Sequence, residues 1–371
     1  SHSVNLLQES WDAYRKRFIQ GDGRVIDWED RDKSTSEGQA YAMLRAVFAN
    51  DRDSFDRTLN WAESNLLRKD ASGQVRDSLW AWKWGKDPKG QWIQLDPNFA
   101  SDADIDACYA LILAAQRWNH SAYLDLAKTK LKDLWQGSTI AVRGQRLLLP
   151  GPEVAFRKGN LIKLNPSYFA PYAFRLFAQV DSERDWLALV DSSYNVLQQS
   201  AALSKVGLPS DWIGFDRQTG TYQPLTEPVV SLYSFDATRV WWRVALDAEL
   251  YQEPRAEQYL RQSLRHLQAL WRSQRQIPAR IDLQGQATVN YDATSQYAML
   301  YPALKLIDPE LGREIYQQKL LSRYRGGFWD NENAYYTQNL AWFGLLPTQV
   351  VAQALQGQFP DLSSLPNDPV N

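Results

Sequence analysis

Apolar residues recur at spacings of three and four through most of the chain. Met43, Leu44, Val47 and Phe48 form one stripe, and Phe55, Leu59, Ala62 and Leu66 the next. Cys108, Leu111, Ile112 and Ala115 form a third, followed by Leu124, Ala127, Leu131 and Leu134. The same spacing returns at Leu187, Val190, Tyr194 and Leu197, and at Ala256, Leu260, Leu264, Leu267 and Trp271. Each stripe is the apolar face of an amphipathic helix. Roughly ten to twelve such helices fit, separated by clusters of Gly, Pro, Asn and Asp. Period-two alternation is rare. It predicts strands in Ala141–Leu149, ending at Pro150-Gly151, and in Gln276–Val289, with a hairpin turn at Gln284-Gly285.

The length of 371 residues exceeds the roughly 250–300 at which one core usually stops growing, so either two domains or one large closed ring is expected. No low-complexity linker divides the chain. Evenly spaced helices without a linker predict one all-α toroid over residues 1–371. Its core spans about residues 10–350, and residues 357–371, with three prolines and little periodicity, read as a loose tail.

Charge changes the picture by exclusion. Lys+Arg 41 against Asp+Glu 43 leaves a formal charge of −2, with no surplus to neutralise a phosphate backbone, so no nucleic-acid partner is expected. No apolar run approaches the roughly 20 residues of a membrane span. One cysteine, Cys108, excludes an intrachain disulfide and a multi-cysteine zinc site. Ser1-His2-Ser3 reads as a processed or tagged terminus, with any signal segment already removed. The unusual quantity is aromatic: Trp 16, Tyr 18 and Phe 13. Such flat faces with polar handles suit either a groove for sugars or a large aromatic core.

Several chemistries lack their parts. There is no G-x-S-x-G elbow, and His120 and His266 are the histidines left for a triad if His2 belongs to a tag. Gly21-Asp22-Gly23 is too short for a phosphate loop. Asp102-Ala103-Asp104-Ile105-Asp106 opens like a calcium loop, but Ala107 stands where the turn glycine belongs and Leu113 where the bidentate Glu belongs. Carboxylate chemistry remains, with no metal and no cofactor.

Acids stand near three predicted helix starts. Glu37 lies in Ser34-Thr35-Ser36-Glu37-Gly38-Gln39, where Ser34-x-x-Glu37 also fits a capping box that would spend the carboxylate on the Ser34 N–H. Asp102 and Asp104 precede the helix Ile105–Trp118 and fit N-cap or first-turn positions. Asp236 lies in Tyr233-Ser234-Phe235-Asp236-Ala237-Thr238-Arg239, with Ser234 as a credible cap and Arg239 able to pair with Asp236 three residues on. In a toroid of helix pairs, inner helices starting on one face would bring these acids to a common mouth. Trp80, Trp82 and Trp84 alternate, and in an extended conformation all three would face one side as sugar-stacking platforms.

These segments resemble glycoside hydrolase family 8. The resemblance rests on Ala100-Ser101-Asp102-Ala103-Asp104 with its helix, Thr35-Ser36-Glu37-Gly38-Gln39, and Asp236-Ala237-x-Arg239-x-x-Trp242, in the family's order. Asn165-Pro166-Ser167-Tyr168 and Trp82-x-Trp84-Gly85-Lys86 also match, so the likeness runs from about Gly23 to about Leu346. Within the family, Gly23-Arg24-Val25-Ile26-Asp27 and Pro209-Ser210-Asp211-Trp212 are similar to the periplasmic endoglucanases of bacterial cellulose-synthesis systems.

The resemblance implies an (α/α)6 toroid and endo-acting, inverting hydrolysis of β-1,4-glucan in the periplasm or outside the cell. It also implies a functional association with a cellulose synthase complex. By matched position Glu37 is the general acid, Asp236 the general base, and Asp102 holds the distorted sugar next to the scissile bond. Tyr168 and Arg239 support that subsite, and Trp82 and Trp84 stack on glucose rings, with Trp80 and Trp212 as further substrate contacts. Two departures from the pattern stand out. Ala107-Cys108 replaces the usual Ile or Met followed by Ala, and Phe235 stands where Tyr is common. The alternatives left open are a family relative acting on xylan, chitosan or mixed-linkage glucan, and a non-catalytic glycan-binding protein on this scaffold. A lyase or epimerase on the same toroid would want a Tyr or His pairing that His120 and His266 do not obviously supply.

Overall fold

The computed structural model describes residues 5–366, so His2 and the last five residues of the expected tail lie outside the described residues. The fold is mainly helical, with short antiparallel strands in the connections. The described residues divide into two compact units, one of residues 5–138 with 324–366 and one of residues 139–323.

In the first unit, the helices Ser36–Phe48 and Ser101–Arg117 are enclosed on nearly all sides. Every residue of the former except Glu37 is buried, and so is every residue of the latter from Ser101 to Ala114. Helices that are apolar or small all round belong in a core, and outer helices with one apolar stripe must cover them. Arg52–Asn65 packs on Ser36–Phe48, Ser121–Ser138 packs on Ser101–Arg117, and the two enclosed helices pack on each other. Helix Leu6–Phe18 packs on Tyr335–Leu345, which closes the unit across a long stretch of sequence.

The second unit is organised around helix Arg239–Tyr251, buried from Arg239 to Asp247. It packs on Pro171–Val180, Pro254–Ser263 and Thr294–Ile307. The expected stripe from Ala256 to Trp271 is carried by two consecutive helices, Pro254–Ser263 and Arg265–Gln274, which meet at Leu264. A four-stranded antiparallel sheet runs in the order Tyr222–Gln223, Ile213–Asp216, Leu161–Leu164, Arg157–Lys158.

Two expected features differ. Ala141–Leu149 is a hairpin of Thr139–Val142 and Gln145–Leu148, whereas Gln276–Val289 forms isolated bridges at Ile281 around a turn closed by Gly285 N–H donating to the Asp282 carbonyl. The tail is anchored as far as it is described. Leu362 is buried in a short 3₁₀ turn, and Asn5 Nδ2 donates to the Leu365 carbonyl at 2.7 Å.

Candidate active site

The first unit positions Glu37 through the loop that precedes its helix. Gln39 is fully buried; its Nε2 donates to the carbonyls of Gly23 and Thr58, and its Oε1 accepts from Val25 N–H. Gly23 adopts φ +97, and a Cβ there would sit 2.0 Å from the Arg57 carbonyl, so only glycine permits this approach. Arg24 then donates from Nη1 to Ser34 Oγ, which itself donates to the Val25 carbonyl. Ser34 is thus committed to the loop and to strand pairing with Trp84.

The N-cap is Thr35, whose Oγ1 accepts from Gly38 N–H at 3.0 Å. This corrects the capping-box expectation: with the cap one residue later, Gly38 occupies the box's acidic position and Glu37 lies one residue before it. Glu37 instead accepts a 3.0 Å hydrogen bond from the Tyr335 hydroxyl. Burial, and then the nearby Glu37 carboxyl, push the Tyr335 phenol well above its usual range, so it stays a donor.

The tryptophan run adjoins this turn. Ser36 N–H donates to the Trp82 carbonyl, and Lys83–Lys86 pairs with Ser34–Thr35 on one side and Trp92–Asp96 on the other. The three tryptophans do not share one face, because the chain changes sheets between them. Val75–Trp80 pairs with Leu67–Lys69, and a bend at Trp82 separates it from Lys83–Lys86. Trp80 is fully buried, with Nε1 donating to Glu63 at 2.7 Å and Lys130 over its ring, so it has no open face for a sugar. Trp82 is half-buried between the Lys33 and Lys83 ammonium groups. Trp84 stacks on Trp92, a 43% exposed ring that sequence reasoning missed.

Asp102 and Asp104 are both buried first-turn acids of Ser101–Arg117; the cap is Ala100 and makes no side-chain bond. Asp104 accepts from Trp80 N–H and lies in the field of Lys130, yet burial pushes its carboxyl up to about 8.

The second unit positions Asp236 ahead of Arg239–Tyr251 in a turn. Arg239 and Arg243, one helical turn apart, both hold Ser167: Arg239 Nη2 donates to its Oγ at 2.9 Å and Arg243 Nε to its carbonyl at 2.8 Å. Asn165 Oδ1 accepts from Ser167 N–H and Oγ–H, while its Nδ2 donates to Asp236 Oδ2 at 3.2 Å. Arg239 Nη2 lies 3.4 Å from Asp236 Oδ1, with the Asp236 side chain 34% exposed. One carboxylate oxygen therefore faces a cation and the other an amide. The Arg239 guanidinium also lies over the Tyr168 ring at 5.5 Å.

Ser234 does not cap this helix. The Asp211 carboxylate takes the donors of that turn, accepting from Ser234 N–H at 3.2 Å and Ala237 N–H at 2.7 Å. Burial, then the adjacent Asp236 charge, push Asp211 up to about 8. Tyr168 packs edge-on to Trp212 at 6.1 Å.

Across its first 350 residues the chain matches the model of glycosyl hydrolases family 8. This chain belongs to that family. The endoglucanase of Escherichia coli (strain K12) is 30% identical over 90% of this chain and 85% of its own length. Among solved structures, an endo-1,4-D-glucanase from Vibrio fischeri ES114 superposes with a TM-score of 0.77 at 28% identity, covering 96% of this chain and 98% of its own. A family 8 endoglucanase from Klebsiella pneumoniae gives 0.72 at 27% identity, covering 94% and 99%.

Sequence reasoning left Asn165, Asp211 and Tyr335 without a role. Asn165 and Asp211 lie inside matched segments, Asn165-Pro166-Ser167-Tyr168 and Pro209-Ser210-Asp211-Trp212, so a signal was present. Tyr335 carried none, since 298 residues separate it from Glu37.

Proposed function

We propose that this family 8 chain is an endo-acting, inverting hydrolase of β-1,4-linked glucan, with the whole chain forming one catalytic domain of the (α/α)6 type. The family match spans both compact units, which supports reading them as one domain. The single observation that carries the assignment is Glu37. It alone in the helix Ser36–Phe48 keeps exposed surface, on a turn that Gln39, Arg24 and Thr35 hold rigid.

In this reading Glu37 protonates the leaving glycosidic oxygen, and the Tyr335 hydroxyl then donates to the carboxylate left behind. The helix N-terminus favours the same negative charge. Asp236 activates the water. Arg239, ion-paired to its carboxylate, and Asn165, donating a hydrogen bond to it, orient it, as a general base requires. Inversion needs an acid and a base with room for that water, and no covalent intermediate. Asp102 and Tyr168 hold the sugar at the scissile bond, with Trp82, Trp84 and Trp212 as stacking surfaces. Trp80 is withdrawn from that set by its burial.

The substrate is a polymer met outside the cytoplasm, so the enzyme works in the periplasm or as a secreted protein. Likeness of its Gly23–Asp27 and Pro209–Trp212 segments to endoglucanases of cellulose-producing systems supports a functional association with a cellulose synthase complex. No helix among the described residues is long and apolar enough to cross a membrane.

Reducing-end release from carboxymethyl cellulose, with xylan and chitosan in parallel and Glu37→Gln as blank, tests the reading. Release from the cellulose derivative alone, with the first product in the α-anomeric form by NMR, is the expected result. Release from xylan or chitosan alone replaces the substrate, and a β-anomer first product overturns inversion. Glucan binding without cleavage of any polymer makes the glycan-binding reading the right one.

A further inference from the structure

Beside the base-bearing part of the second unit lies a cavity of about 670 Å³ that the proposed reaction does not use. That volume is ordinary for a small-ligand site. Its floor is one face of the four-stranded sheet. Opposite residues of antiparallel strands point to the same face, and so do residues two apart on one strand. Lys158 lies opposite Leu161, and Lys163 opposite Gly214, which in turn lies opposite Gln223. Lys158, Leu161, Lys163, Gly214 and Gln223 therefore share the cavity face, while Ile162 and Leu164 are buried on the other.

Gly214 keeps this floor low. A Cβ there would meet Leu161 Cδ1 at 2.9 Å, Leu225 Cδ2 at 3.0 Å and Gln223 Cγ at 3.3 Å, three residues that all line the cavity. Any larger residue would push them into the space.

The cavity is also joined to the site by aromatic rings. Phe156, on its wall, stacks on Trp212 with centroids 6.0 Å apart and planes 12° from parallel. Trp212 meets Tyr168, and Tyr168 lies under Arg239, the partner of Asp236. A chain of ring contacts thus leads from the base to the cavity.

At the cavity the charge is positive. Lys163 Nζ lies 5.5 Å from the Phe156 ring centroid, and neither Lys158 nor Lys163 has an ion-pair partner among the described residues. Arg157, on the wall, pairs with Glu153, but the same carboxylate also takes Arg217 at 3.3 Å. Against these stands one lining acid, Glu227.

We propose that this cavity is a distal glycan subsite that accepts a glucose unit carrying an anionic substituent, a carboxylate or a phosphate ester, with Lys158 and Lys163 as its charge partners. It rests on the glucan reading above. The Phe156 face takes the sugar ring, Gln223 and Thr226 meet its hydroxyls, and the two ammonium groups meet the anion. A substituent would otherwise have to be desolvated against a neutral wall, so the lysines convert a steric burden into a preference.

The test compares kcat/KM on cellohexaose, cellohexaose oxidised to uronic acid units at C6, and cellohexaose phosphorylated at C6. The wild-type enzyme should prefer one or both anionic forms, the better one naming the substituent. Lys158→Met/Lys163→Met should reduce the anionic-to-neutral ratio roughly tenfold, the scale of a hydrogen bond to a charged group, mainly through KM. Lys163→Arg should retain the preference, and 0.5 M salt should blunt it. An enzyme that cuts neutral cellohexaose with no anionic preference, or with one the double Met variant keeps, overturns this inference and leaves the glucan reading standing. Failure to cut any of the three overturns both.

Discussion

Glu37 and Asp236 stand at comparable places, each ahead of or within the first turn of a buried helix, yet their surroundings differ in kind. The hydrogen bond identified at Glu37 comes from a neutral phenol that burial keeps protonated. Asp236 lies between a guanidinium and a carboxamide, and beside a second carboxyl, Asp211, that burial pushes up to about 8. A neutral hydroxyl can accept from a protonated acid or donate to its conjugate base, so it serves a group that must pass through both states. A cation stabilises only the ionised form, which suits a group that must start as a base. In the proposed mechanism the same residue chemistry is thus divided into two roles by its partners.

The largest break in this comparison comes from deleting the titratable groups. Glu37→Gln and Asp236→Asn should each reduce kcat by about 10²–10⁴-fold, the usual worth of a positioned acid or base. Binding of cello-oligosaccharides, read by calorimetry, should persist. Near-normal turnover in either variant would remove that residue from its role.

Next come the partners, whose loss should weaken each role by less than loss of the acid or base itself. Arg239→Met removes the cation beside Asp236 and releases Ser167 as well, so kcat/KM should fall roughly 10–100-fold. Tyr335→Phe removes the hydroxyl that donates to Glu37, with about a tenfold loss in kcat. Unchanged kcat/KM in either variant would reduce that residue to packing.

The smallest effect is on stability. The Asp211 and Asp104 carboxyls are each raised to about 8 in the folded chain, against roughly 3.9 when unfolded. The folded state therefore binds protons that the unfolded state has released between those values. The stability linked to this binding is complete below about pH 4 and is lost as pH rises toward about 8. Asp211→Asn and Asp104→Asn imitate the neutral form at every pH. Between pH 5 and 9 their melting temperatures should fall by less than the wild type's. Parallel melting curves would show that neither carboxyl is neutral in the fold.

The sequence by itself determined the helical class and singled out the acids proposed to carry the chemistry. Helix periodicity is local, set by side chains three and four apart, and family 8 motifs keep their acids within a few residues of their helix starts. It also contained Asn165 and Asp211 without indicating what they touch. Tertiary structure decided the rest. The cap moved from Ser34 to Thr35 because Arg24 and strand pairing claim Ser34. Trp80 left the row of tryptophans because its strand joins a different sheet, where Glu63 and Lys130 enclose the ring. Tyr335 reached Glu37 because helix Tyr335–Leu345 packs within the first unit, near the far end of the chain. No local pattern encodes such contacts. They arise from the choice of which apolar faces bury one another, and that choice belongs to the whole chain.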